Sequence, residues 1–276
     1  MTDKDVKTLV EAGFLEVQPG IESLIDSVLK MMNKGNSAIR HIALLKYGEK
    51  YSLHLSWNML YGFPGEKIED YEKFTELLPL IYHLPVPSGF FKIRYDRNNV
   101  YWENPEKYSL KLKPSPVYDY CLPDDEEFIK NYAYMFVDES EQSKILAENP
   151  VYKKVNNLVQ HWRNVYLGKN GEKSECLDMI VFEDRIKIFN TREIKVKSRY
   201  DLTGLAREIY LLCGEPKSHK TILETLTKNY GKDEIERCLN ELKDWKLILN
   251  IKDEFLALAV ERPQESLFSL LFMNAG

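Results

Sequence analysis

The sequence is poor in the residues that announce a metal site. It holds four cysteines in 276 residues, Cys121, Cys176, Cys213 and Cys238. None of them forms a CxxC or CxxxC pair, or a Cys/His pair at zinc spacing. The five histidines (His41, His54, His83, His161 and His219) are equally scattered, with no pair at i, i+4. A sequence-local cage for zinc or an iron–sulfur cluster is therefore excluded, and no metal ligand is expected. A cysteine-dense secreted scaffold is excluded too. No apolar run approaches the roughly 20 residues of a membrane helix, and residues 1–10 lack the pattern of a secretory leader. A soluble cytoplasmic chain with no membrane partner is expected. Basic excess is also missing: 38 Lys and Arg stand against 43 Asp and Glu, for a net charge of −5. That removes the general electrostatic drive toward nucleic acid, which rests on phosphate neutralisation. P-loop and Ser–His–Asp signatures are absent.

What is present is ordinary globular composition, 44% hydrophobic and 29% charged. The length suits one large domain or two small ones and is ample for a core. In the first hundred residues helix and strand patterns alternate. Apolar spacing and turn residues predict helices over 2–12, 23–32, 37–50 and 67–82, and strands over 14–20, 53–61 and 90–95. Thr2 and Gly13 are the expected caps of the first helix. Helix 37–50 carries Ile39, Ile42, Ala43, Leu45 and Lys46. Strands separated by helices read as βαβ units with a parallel sheet. Three such strands make about half a barrel, whose faces and edges need covering from outside the segment.

Most of the 12 prolines, and eight of the 17 tyrosines, fall between residues 79 and 134. Proline breaks ladders and helices, so this stretch reads as irregular connection packed by aromatics. Residues 125–170 are expected to be mainly helical, with Leu158 and Trp162 on an apolar face. Alternation over 176–182 and 185–190 predicts a β-hairpin. Helices near 202–213, 220–230 and 233–246 and a two-stranded turn over 247–259 follow, in the order of a winged helix. Helix 233–246 holds five acidic residues against three basic ones, which opposes insertion into a DNA groove. The divisions expected are 1–100, 101–170 and 171–276.

Three motifs stand where chemistry is usual in α/β proteins, at strand ends. The first is QPGIES at 18–23. Its glycine permits close backbone approach to a ligand, and Glu22 is placed to accept from hydroxyl or ammonium groups. The plainer reading is a turn whose Glu22 and Ser23 cap the next helix. The second is SWNMLYGFPGE at 56–66, where Gly62 and Gly65 allow approach to a flat base and Leu60 and Phe63 supply apolar contact. The plainer reading is a turn with Pro64 and Glu66 as helix-start signals. The third is KIRYDR at 92–97. Strand alternation puts Arg94 and Asp96 on one face, either to hold a peptide or carboxylate or to pair with each other.

Taken in order, these three runs resemble the carboxyl half of cobalamin-binding-type radical S-adenosylmethionine enzymes. Above all they resemble the RiPP maturation radical SAM proteins, which modify ribosomally made peptides. The likeness continues through Asn104-Pro105-Glu106, residues 114–120, Asn190-Thr191-Arg192, residues 209–216 and residues 255–260, so it spans nearly the whole chain. It implies an α/β chain comprising strands four to six of a partial (β/α)6 barrel over 1–100. A Pro- and Tyr-rich connection with helices then covers 101–170, and a β-hairpin with a winged-helix-like module covers 171–276. It implies an S-adenosylmethionine site, partial in this chain. Gly20, Glu22 and Ser23 would lie near the ribose and methionyl groups, and Leu60, Tyr61, Gly62 and Pro64 near adenine. Asn58 would lie on the methionyl or substrate side, with Arg94 and Asp96 in the substrate cavity. The family's [4Fe–4S] cluster is held by a CxxxCxxC motif, often behind a cobalamin-binding domain. Neither is in this sequence, and Met1 falls where the family is still in its third helix. Cluster and cobalamin would belong only to the complete enzyme. The expected partners are an amino-terminal half, or a subunit supplying it, and a precursor peptide. The chain alone is expected to be inactive. The alternative is a non-enzymatic peptide-binding or scaffold protein derived from such an enzyme.

Overall fold

A computed structural model describes residues 1–168 and 174–266; the expected boundary at 170/171 lies outside them. The chain is α/β, with several small sheets, none of which closes into a barrel. No helix among the described residues is long and apolar enough to cross a membrane.

The first helix, α1 (Asp3–Glu11), starts at Thr2 in a reciprocal cap. The Thr2 hydroxyl accepts from the Asp5 N–H, and the Asp5 carboxylate accepts from the Thr2 N–H at 2.7 Å. Then come β1 (Glu16–Val17), α2 (Asp26–Met31), α3 (Ala38–Tyr51), β2 (His54–Leu55), β3 (Met59–Tyr61), α4 (Ile68–Leu77) and β4 (Phe90–Lys92). β1 pairs with β2, and β3 with β4, both in parallel. The expected strand 53–61 is thus two strands that serve different neighbours. Hydrogen bonds outside the ladders join all three segments side by side. Ser56 N–H donates to Val17 O (3.0 Å), Leu60 N–H to Glu22 O (2.9 Å) and Ser88 N–H to Trp57 O (2.8 Å). Between the first two of these bonds the first segment uses one residue more than the second. The Pro19-Gly20 bend absorbs it, with Gly20 at φ +69°.

Burial along 53–60 alternates residue by residue. Leu53, Leu55, Trp57 and Met59 are all 2–3% exposed, while His54, Ser56, Asn58 and Leu60 are accessible to varying degrees. Helices α3, α4 and α8 (Pro150–Leu167) cover the buried face. Trp57 and Trp162 meet edge-on with centroids 5.9 Å apart, and their indole N–H groups donate to Pro85 O (3.2 Å) and Leu84 O (2.9 Å). The buried stripe of α8 runs through Tyr152, Val155, Val159 and Trp162; Leu158 sits at its rim.

The expected strand 90–95 also divides. β5 (Tyr95–Asp96) leaves β4 and joins an antiparallel sheet with β6 (Leu112–Pro114) and β7 (Met135–Asp138), β7 in the centre. Tyr95 is buried opposite Phe136. The Arg97 guanidinium donates to Ala133 O and Lys130 O at 2.7 and 2.6 Å, anchoring the switch. Between these strands lie α5 (Val100–Glu103) and α6 (Glu126–Tyr132), and α7 (Glu141–Glu148) precedes α8. Aromatics do pack this connection in part: Tyr101 meets Tyr95 and Tyr108 edge-on, whereas Tyr120 is 91% exposed.

The carboxyl-terminal region begins with the expected hairpin, β8 (Leu177–Val181) and β9 (Ile186–Asn190). β10 (Arg199–Leu202) extends it, followed by α9 (Gly204–Leu212), β11 (Lys217–Ser218), α10 (His219–Leu226), α11 (Lys232–Asp244), β12 (Ile248–Ile251), β13 (Glu254–Ala257) and β14 (Val260–Glu261). The turn expected to be two-stranded carries a third strand, β11, in the order β11-β13-β12. The chain then passes into β14, which pairs parallel to β8. Buried donors stitch this region to the first. Lys46 donates to Gly214 O and Ala257 O, and a ring nitrogen of His83 lies 3.0 Å from Leu258 O. Arg192 donates to Leu80 O and Lys246 O.

Candidate functional site

The carboxyl ends of the first two parallel segments lie together, because Leu60 N–H bonds the carbonyl of Glu22. This joins the two motifs that the sequence separates by nearly forty residues. Gly20 is exposed in a left-handed conformation that L side chains rarely adopt, with only the Lys34 ammonium near the position of a Cβ. Glu22 is half-buried and ion-paired with Lys34 at 3.0 Å. Ser23 is 2% exposed. Its hydroxyl accepts from Ile25 N–H (3.1 Å), and its carbonyl lies 3.2 Å from His41 Nδ1. The Ser23 side chain thus shapes the turn, two residues ahead of the helix start, and Ile25 occupies the cap position.

The second turn is built around Glu66. One carboxylate oxygen accepts from Gly62 N–H (2.8 Å) and Tyr152 OH (3.1 Å), the other from Tyr71 OH (2.7 Å). Burial pushes this carboxyl above its ordinary range, against the pull of those donors. Burial, with the Glu66 charge, also pushes the Tyr71 and Tyr152 hydroxyls far up, so both remain donors. Gly62 (φ +88°) and Gly65 (φ +89°) supply the left-handed steps of the turn. In the plainer of the two sequence readings Glu66 is a helix-start signal. It is instead the hub of the turn, and α4 starts beyond Lys67.

The candidate residues divide between surfaces. Asn58 and Leu60 belong to the accessible alternate set of the sheet, with Phe91 opposite Leu60 in register and 50% exposed. The Tyr61 ring is stacked on Phe90 and on Tyr152, with centroids at 4.4 and 4.6 Å, so it belongs to the packed side. Gly62 and Pro64 border a crevice of about 20 Å³ shared with Tyr95, Tyr108 and Ser143. That holds a water molecule at most. Arg94 and Asp96 lie outside this group, bound to each other through two hydrogen bonds at 2.7 and 3.1 Å. The Arg94 side chain is 59% exposed, so the pair is a surface ion pair. Phe91 and Lys34 were missed in the sequence. Phe91 carried a signal, since it stands in a strand pattern two residues after Gly89; Lys34 carried none.

Among the described residues no group of three or more His, Cys, Asp or Glu side chains is arranged to hold a metal ion. Cys121 is exposed and Cys213 buried, and all four cysteines are free. A [4Fe–4S] cluster needs assembled thiolates, so these residues do not fit as its ligands, and no step through a cluster follows from them. Of the other candidates, Gly20, Glu22, Asn58 and Leu60 lie on adjoining, accessible segments, whereas Ser23 is buried and the Tyr61 ring is packed. Comparison with family models, with curated proteins and with solved structures finds no significant match to this chain.

Proposed function

We propose that this chain is the carboxyl-terminal part of a radical S-adenosylmethionine enzyme that modifies a ribosomally made peptide. In this reading the loops at Gly20–Ser23 and Tyr61–Pro64 contribute to the S-adenosylmethionine site, and the accessible sheet residues form one wall of the substrate cavity. The segments β1, β2–β3 and β4 correspond to strands four to six of a partial (β/α)6 barrel. The cluster, and cobalamin where the reaction uses it, are held by other polypeptide, from an amino-terminal half or a subunit. The helices and three-stranded sheet from α9 to β13 act as a winged-helix module for docking. One observation carries this reading. Three parallel segments follow in sequence order, helices among the described residues cover one face only, and both glycine turns lie at the carboxyl ends. Ligands in α/β sheets and barrels bind at such ends.

Calorimetry on the full chain tests it. Weak, saturable S-adenosylmethionine binding is expected, without release of 5′-deoxyadenosine under reducing conditions. Gly20→Val forces a branched side chain into a left-handed backbone position and is expected to weaken binding at least about tenfold, about 1.4 kcal/mol. Robust 5′-deoxyadenosine production by cluster-free chain, or binding indifferent to Gly20→Val, overturns the reading. The Lys34–Glu22 ion pair favours a second reading, a peptide-binding scaffold in which Glu22 is already neutralised. Tight precursor-peptide binding with no dependence on S-adenosylmethionine would select it.

A further inference from the structure

Helix α3 buries a lysine far from the sheet end. Lys46 is 5% exposed, with Ile42 and Leu45 on the same helix fully buried. Its Nζ donates to Gly214 O at 2.6 Å and to Ala257 O at 2.8 Å. A neutral amine has two N–H donors and an ammonium three. The two carbonyls therefore take both N–H groups of the amine, whereas the third N–H of the ammonium has only the Tyr47 ring, whose centroid lies 5.7 Å from Nζ. Among the described residues no carboxylate forms an ion pair with it. The nearby acids are engaged elsewhere: Asp3 and Glu261 pair with Lys50 at 3.3 and 2.8 Å, and Glu215 pairs with Lys217 at 3.6 Å. Tyr47 and Cys213 face the same region, and burial pushes both upward, the thiol to about 12, so neither offers an anion at neutral pH. Burial first, and then the charge of Lys50, hold Lys46 down to about 8.

Lys46 lines a cleft of about 350 Å³ between α3 and the carboxyl-terminal region, with Met179, Leu211, Leu212 and Ala259 as apolar wall. A nearly buried amine selects among electrophiles by size. The cleft is roomy, but Lys46 is only 5% exposed, so a small electrophile reaches its Nζ most readily, and carbon dioxide is small, apolar and reacts only with the neutral amine. We propose that Lys46 is a carbon dioxide-binding site, forming a carbamate at Nζ. The amine lone pair forms the N–C bond, one C=O electron pair moves onto oxygen, and one N–H proton leaves to solvent. The product, –NH–COO⁻, keeps one N–H for a carbonyl of the clasp. Its new negative charge lies in a cleft lined by Lys50 and Lys217 and also by Asp3, Glu215 and Glu261, with which it competes for the two ammonium groups. At pH 7 about a tenth of a group with this acidity is neutral, roughly 300-fold more than for an ordinary lysine.

The test uses the full chain in ¹³C-bicarbonate. Alkylating the adduct with a trialkyloxonium ion fixes it for peptide mass mapping, and ¹³C NMR reads it directly. One dominant adduct is expected, on the peptide carrying Lys46, rising with pH through about 8. Its NMR signal is expected to vanish in Lys46→Met. The mapping on unaltered protein identifies the site even if that variant folds poorly. No adduct at Lys46, or labelling no greater than at Lys220, whose side chain is 80% exposed, overturns the proposal.

Discussion

Two apolar runs in this chain are buried in opposite ways. From Leu256 to Val260 every residue is at most 1% exposed. From Leu53 to Leu60 the burial alternates, and the side chain of His54 is 71% exposed. A run buried without interruption has material on both faces, whereas alternation marks a sheet covered on one. The difference extends to polar groups. Around the first run, Lys46, His83 and Arg192 reach across from other elements to backbone carbonyls that have no ladder partner there. Around the second, Glu66 and Ser23 hold the turns at the strand ends, tying them to Tyr71, Tyr152 and His41 on the covering helices. Among the described residues, the run from Leu256 to Val260 is thus covered on both faces and the parallel segments on one.

The sharpest way to break this contrast is at the seam. Arg192 is fully buried. It donates to Leu80 O (2.8 Å), Lys246 O (2.7 Å) and Asn190 Oδ1 (3.1 Å), linking three parts of the chain. Arg192→Leu keeps apolar bulk but strands two carbonyls, while Asn190 Oδ1 keeps the backbone N–H of residue 192. Each unsatisfied buried group costs about 1–3 kcal/mol. A loss of about 3–5 kcal/mol is expected in urea unfolding, with a lower midpoint and an unchanged slope. A loss below about 1 kcal/mol would mean that water reaches this seam and that it is not closed.

A smaller effect is expected at the turn hub. Glu66→Gln keeps one acceptor for Gly62 or a tyrosine but turns an amide donor toward another donor, at a cost of about 1–3 kcal/mol. The pH dependence has a definite sign. Burial raises the folded carboxyl above its unfolded value, so the folded state holds the proton more tightly. That contribution is complete below the unfolded value and is lost as pH rises through the folded one. The stability gap between the native chain and Glu66→Gln should therefore shrink as pH rises from 4.5 toward neutrality. A gap that widens instead would mean that the tyrosine and backbone donors outweigh burial.

Local signals carried much of this architecture. Thr2 and Gly13 mark the ends of the first helix because caps act within a turn or two. The hairpin of β8 and β9 was legible for the same reason. Partner switching was not legible. Residues 53–61 and 90–95 each read as one strand, since alternation continues through the break. The break itself is set by distant bonds, such as Ser56 to Val17 and Arg97 to Tyr134. At the candidate site the glycine turns were legible and the side-chain directions were not: Tyr61 is held by Tyr152, which lies on another helix. Lys46 shows the opposite case. It stands four residues after Ile42 and seven after Ile39 on the apolar stripe of α3, so its burial was readable. Its carbonyl partners, more than 160 residues away, were not.

The smallest expected effect is the most informative about the unfinished face. Leu60 and Phe91 are register neighbours, and Phe91 is half exposed, its ring folded over Gly89, where a Cβ would lie 2.4 Å from it. Replacing each by a small polar residue, Leu60→Thr and Phe91→Ser, removes apolar surface that water already reaches. Such changes usually fall within about 0.5 kcal/mol. Trp57→Ala, three positions before Leu60 in the same run but on the covered face, removes a fully buried indole and is expected to cost about 3–5 kcal/mol. Chemical unfolding of the three variants measures the ratio between the two faces directly. If the chain is alone in solution, the Leu60 and Phe91 variants will unfold at nearly the native midpoint at every protein concentration. If that face is covered, by a second copy or by another polypeptide, both variants will weaken the assembly. Their midpoints will then depend on concentration, because association stabilises only the folded state.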